Sequence, residues 1–116
     1  MTSATERTIA LLKSRGGKVF KTEHWNPYAH IRQDLMGFCD MLYIGKMTPQ
    51  QSYPNIIAVQ STTGSGHAEH KRKILESDNY GPWRAAGGLV LLISWSKRKY
   101  KRGSKMYIWT PREEYL

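Results

Sequence analysis

The chain has 116 residues, one domain's worth, enough for a single real core but not two. Hydrophobic residues are 40% and mean hydropathy is −0.59, which excludes a disordered chain, and no apolar run reaches the ~18 residues of a membrane span. Eighteen Lys and Arg against nine Asp and Glu give a net charge of +9 and a pI near 9.9, a field that attracts polyanions.

Residues 5–15 read as a helix. Thr5 or Ser3 caps it, Glu6 sits in its first turn, Ile9, Leu11 and Leu12 give a partial apolar face, and Gly16-Gly17 ends it. KVFKTEHW alternates and reads as a first strand, closed by the Asn26-Pro27 turn signal. Tyr28 to Phe38 reads as loop. Asp40 to Ile44 is a short apolar strand, GKMTPQQSYPN an exposed loop, and Ile56 to Gln60 a second apolar strand. STTGSG is a turn, and His67 to Ser77 a helix that GPW breaks. WRAAGG reads as one helical turn. LVLLISW is a buried strand and KMYIWT a final one. Between them KRKYKRGSK carries six basic residues in nine, with Gly103 suited to a hairpin turn. The order α-β-β-β-α-β-β predicts an α/β fold, one mixed sheet with helices packed on it.

The pattern that carries chemistry is an acid heading one strand (Asp40) and polar residues ending the next (Gln60, Ser61, Thr62). On neighbouring strands these oxygens converge on a hard cation, with Glu6 of the first helix as a further ligand. Mg²⁺ or Mn²⁺ needs few protein oxygens, and such a site suits phosphodiester hydrolysis. The plainer readings are a strand-end turn for Asp40, a polar strand terminus for Gln60 and a helix-dipole role for Glu6. Glu23 and Asp34 are further acids in the same region. Arg32 is a candidate phosphate contact or a structural partner for Asp34.

These residues resemble the PD-(D/E)XK, or restriction-endonuclease-like, superfamily, and within it archaeal-type Holliday-junction resolvases and small phage-encoded nucleases. Glu6-Arg7 opens the helix, Gly17 follows, Asp40 stands in GFCDMLYI, and IIAVQST occupies the place of the strand that ends in Glu-x-Lys. The resemblance spans roughly residues 5–75. It implies a restriction-endonuclease-like core with about five strands and a Mg²⁺- or Mn²⁺-dependent DNA endonuclease. It further implies branched DNA as a candidate substrate, a homodimer, and a cytoplasmic setting in a bacterial or archaeal host. The implied ligands are Asp40, Gln60, Glu6 and the Ser61 carbonyl. The sequence departs from the pattern at Gln60, where the family has Glu, and at Thr62, where it has Lys. Lys71, Lys73 and Lys21 are the candidate replacements for that lysine.

Lys97, Arg98, Lys99, Lys101, Arg102 and Lys105, with Tyr100, Trp95, Tyr107 and Trp109 around them, make a basic, aromatic surface suited to nucleic-acid backbone contact and stacking. Two other readings stay open: a non-catalytic nucleic-acid-binding protein on the same fold, and a small basic protein that binds another protein. The four histidines and one cysteine lack zinc spacing, Cys39 reads as a buried small residue, and GSG lacks a phosphate-loop ending. The N-terminus has no signal-peptide apolar region, which together with the lone cysteine points to an intracellular protein.

Overall fold

The computed structural model describes residues 2–48, 50–103 and 105–116. Helix α1 spans Ala4–Ser14. The Ser3 side chain caps it by accepting from the Glu6 N–H, and Gly16, at φ 87°, lets the chain leave it. Its inward stripe is Thr5, Thr8 and Leu12, with Ile9 and Leu11 only partly buried. Two polar residues face inward there, Thr8 fully buried and Thr5 partly so, because each finds a partner. Trp95 Nε1 donates to Thr8 Oγ1 at 2.9 Å, and Thr5 Oγ1 lies 3.2 Å from Ser61 Oγ.

Among the described residues seven strands follow or interleave: β1 Lys18–Lys21, β2 His24–Asn26, β3 Ile31–Gln33, β4 Met41–Gly45, β5 Asn55–Thr63, β6 Leu89–Lys99 and β7 Tyr107–Tyr115. Five of them form one mixed sheet in the order β1-β4-β5-β6-β7, and β2 and β3 form a separate two-stranded sheet. The β5–β6 pair is parallel, and the other neighbours are antiparallel. The crossover between β5 and β6 carries a 3-10 turn (Gly64–Gly66), α2 (His67–Glu76) and α3 (Tyr80–Ala85). Parallel strands require such a crossover. The expected α/β class with a central mixed sheet and flanking helices is what the structure shows.

Both faces of the sheet are covered. On one face Leu12 of α1 packs with Met41, Tyr43, Ile57, Val59, Leu91, Ile93 and Trp95. The opposite face packs Phe38, Cys39, Ala58, Ile74, Val90 and Leu92. β5 and β6 are therefore apolar on both sides, which explains their continuous apolar runs. Strand parity then decides where the polar ends point. Ser61 continues the α1 face of β5, while Gln60 and Thr62 continue the α2 face.

The first strand ends earlier than its alternation predicts. At Thr22 and Glu23 both backbone N–H groups donate to the Asp40 carbonyl, at 3.0 and 3.1 Å. Two residues thus face one, as in a bulge, and the chain swings off the sheet into the β2–β3 hairpin. The segment read as loop contains β3. It ends in a tight turn at Met36 (φ 60°) and Gly37 (φ 80°), closed by Phe38 N–H to the Leu35 carbonyl.

Candidate metal centre

Asp40 precedes β4 and is 4% exposed, and its N–H donates to the Val59 carbonyl. A buried carboxylate needs partners. One oxygen, Oδ2, accepts from Gln60 Nε2 (3.0 Å), from the Ser61 N–H (2.9 Å) and from Ser61 Oγ (3.3 Å). The sequence pairing of Asp40 with the end of β5 is therefore a direct contact. Thr5 reaches Ser61 in turn, so α1 supports the site through a hydroxyl.

Two more carboxylates join it. One oxygen each from Glu23, Asp34 and Asp40 lie within 4.8 Å of one another. Oxygen ligands sit ~2.0–2.6 Å from Mg²⁺ or Ca²⁺, so three carboxylates this close are candidates to share one cation. The bulge at Thr22 delivers Glu23, and the Met36-Gly37 turn delivers Asp34. Burial pushes Asp40 up to about 7; the Ser61 N–H opposes that rise, and the charge of Asp34, a hydrogen bond shared with it and the charge of Glu23 reinforce it.

Glu6 is not in this group. It is exposed on α1, and the inward position of that turn belongs to Thr5. Gln60 donates its amide to Asp40 rather than standing as a third acid, and Thr62 is buried beside Gly66 on the same face. Lys71 is not at the acids either: its Nζ donates to Glu114 Oε2 at 2.6 Å. Glu114 pairs with Leu92 on β6, which pairs with Gln60, so Lys71 lies two strands from Gln60. Lys73 pairs with Glu69 on its own helix. Lys21 does lie near the site. It lines a cleft of about 210 Å³ with Glu23, His24, Trp25 and Arg32. Arg32 pairs with Glu23 at 2.8 Å rather than with Asp34. On the other side of the hairpin, Thr22, His24, Arg32, Gln33, Asp34, Leu35, Met36 and Gly37 line a cleft of about 560 Å³. A larger hollow of about 740 Å³, lined by Arg15 to Lys18, Ile44 to Thr48 and Pro54, sits at the far end of β4. Three strand residues, Met41 to Tyr43, stand between Asp40 and its nearest β4 wall residue, Ile44, roughly 13 Å along the strand.

The basic segment lies on the same edge of the sheet as the acids. Asp40 starts β4, and the antiparallel β4–β5 and parallel β5–β6 pairings put the ends of β5 and β6 beside it. β6 and β7 run on past the sheet as a two-stranded ribbon, pairing Lys97 with Trp109, Arg98 with Ile108 and Lys99 with Tyr107. Lys97, Arg98, Lys99, Lys101, Arg102 and Lys105 are all exposed. Trp109 carries Arg7 over its ring at 3.9 Å and Lys97 at 5.4 Å, which extends the basic surface onto α1.

The sequence shows no sign of a third cluster. His67 is buried, with Nδ1 2.7 Å from Ser94 Oγ and Nε2 2.9 Å from Glu114 Oε1. A carboxylate only accepts, so Nε2 carries a proton. The set has Ser-His-Glu chemistry, but Ser94 is 1% exposed and no substrate reaches it. It ties α2 to β6 and β7. Cys39 is equally inert, as burial pushes its thiol up.

Comparison with protein families, with curated proteins and with solved structures finds no match.

Proposed function

We propose that this chain is a divalent-metal-dependent DNA endonuclease of the PD-(D/E)XK arrangement. The observation that carries the reading is the meeting of Glu23, Asp34 and Asp40 where the start of β4 meets the end of β5. Glu23 and Asp34 would supply the negative charge that Gln60 lacks.

Glu23, Asp34 and Asp40 would hold Mg²⁺ or Mn²⁺, an all-oxygen set suited to either. A cation there supplies a Lewis acid that offsets charge on a phosphate and acidifies water. The chain's own groups do the rest. Gln60 Nε2 and the Ser61 N–H fix the Asp40 carboxylate in place. Arg32 neutralises Glu23 and stands at the mouth of the cleft, able to turn to a phosphate. Lys21 is the cation placed to act where the motif lysine is missing. The basic ribbon holds the backbone of DNA across this edge. Symmetric cutting of branched DNA would require two copies of the chain, so the homodimer belongs to the same proposal.

The test is cleavage of plasmid, flap and four-way-junction DNA with Mg²⁺ or Mn²⁺. Wild type should cut at least one of them, and Asp40→Ala should cut none. The second reading, a binding protein without cleavage, is favoured by Gln60 donating to Asp40 and by Lys71 being engaged with Glu114. Salt-sensitive DNA binding without cleavage of any substrate would establish it.

A further inference from the structure

The β2–β3 hairpin projects from the same edge as the acids and the basic ribbon, on the other flank. β1 leaves the sheet where Thr22 and Glu23 bond to Asp40, so the hairpin begins at the metal centre. The ribbon rises from β6, three strands from β1. At ~4.8 Å per strand, about 14 Å separates the strands from which the two arise, with Asp40 at the head of β4 between them and Glu23 and Asp34 at the base of the hairpin.

The two prongs differ in chemistry. The ribbon is cationic and suits phosphates. The hairpin exposes aromatic surface instead: Trp25 is 56% exposed, Tyr28 94% and Ile31 50%. Its turn is also hydrogen-bonded within itself. Asn26 Oδ1 accepts from the Tyr28 and Ala29 N–H groups, Asn26 Nδ2 donates to Gln33, and Trp25 meets the His30 ring edge-on at 6.3 Å. An exposed aromatic on such a turn loses little entropy on stacking. Arg32, in the hairpin strands, is turned toward the acids by its pair with Glu23, so its charge belongs to the acid cluster and the hairpin tip is left to its aromatic residues.

We infer that the β2–β3 hairpin is a base-stacking prong, with Trp25 and Tyr28 packing on unpaired bases at a branch or strand end while the β6–β7 ribbon holds the adjoining backbone. This deepens the proposed nuclease reading and rests on its nucleic-acid partner. Stacking requires a free base face, so the hairpin favours nucleic acid with unpaired bases over intact duplex.

The experiment measures binding by fluorescence anisotropy, in EDTA so that no strand is cut. The probes are a linear duplex and a splayed-arm DNA of equal length, the latter carrying 2-aminopurine at its branch. Trp25→Ala/Tyr28→Ala is compared with Lys99→Ala/Lys101→Ala, and far-ultraviolet circular dichroism checks that each variant is folded. The aromatic variant should lose about tenfold or more in affinity for the splayed DNA. It should keep its affinity for duplex and abolish the 2-aminopurine response that wild type gives. The ribbon variant should weaken binding to both probes. Equal losses on both probes for the aromatic variant, or no loss on either, would overturn the inference alone. Failure of wild type to bind any DNA would overturn both the inference and the nuclease reading beneath it.

Discussion

Asp40 is the residue on which the site turns. Its unfolded value is near 3.8 and burial holds it near 7 in the fold. Between those values the folded chain keeps a proton that the unfolded chain has released. This group's contribution is therefore complete below about pH 4 and is lost as pH rises through 7, by roughly 4 to 5 kcal/mol at most. Asp40→Asn mimics the protonated side chain: its oxygen can accept from Gln60 and Ser61 while its amide donates to Asp34. Urea unfolding should show the variant more stable than wild type at pH 8 and nearly equal to it at pH 4. A wild-type excess at pH 8 would mean that Asp40 is not held against its charge. At the buried histidine the expectation runs the other way. His67→Ala strands Ser94 and leaves a hole between α2 and the sheet, so it should destabilise by about 2 to 3 kcal/mol in the same assay.

At the scale of elements, one feature holds the end of β4 that lies away from the acids, and another carries the proposed backbone contacts. Gly17 and Gly45 let the Tyr43 ring lie flat against the strands; a Cβ on Gly45 would stand 2.4 Å from that ring. Gly45→Ala should therefore cost about 1 to 3 kcal/mol in thermal or denaturant unfolding. The β6–β7 ribbon is the other feature. If Lys99 and Lys101 each neutralise a phosphate, removing both should lower the slope of log affinity against log salt by about 1.8. An unchanged slope would place the backbone contacts elsewhere. The order of the main elements was legible in the sequence because apolar runs and glycines mark β4, β5, α2 and β6 plainly. The β2–β3 hairpin was not. Its strands are three residues long and exposed, so no buried face imprints a period on them. The inward face of α1 was legible only in its apolar part, Leu12 with Ile9 and Leu11 packed beside it. Thr8 in the core and Thr5 at its margin face inward through hydrogen bonds that a hydrophobic pattern does not register.

For the whole molecule, the pairing of Asp40 with Gln60 was readable because a strand-heading acid and a strand-ending amide need only adjacent strands to meet. The other carboxylates were harder to place. Glu23 arrives through a bulge and Asp34 through a turn of positive φ at Met36 and Gly37, and both are local backbone events that side-chain spacing does not encode. Glu6 drew attention as an acid on the first helix, yet helix phase turns Thr5 to the site instead. The molecule thus carries three acids on the floor of one sheet edge, a cationic ribbon on one flank and an aromatic hairpin on the other. The most direct test of this account is isothermal titration calorimetry of Mn²⁺ into wild type, Asp34→Asn and Glu6→Gln at pH 6 and pH 8. One site should be seen in wild type, tighter at pH 8 because Asp40 must give up its proton. It should be lost in Asp34→Asn and unchanged in Glu6→Gln. No Mn²⁺ binding by wild type at pH 8, or loss of the site in Glu6→Gln but not in Asp34→Asn, would contradict the metal centre drawn here.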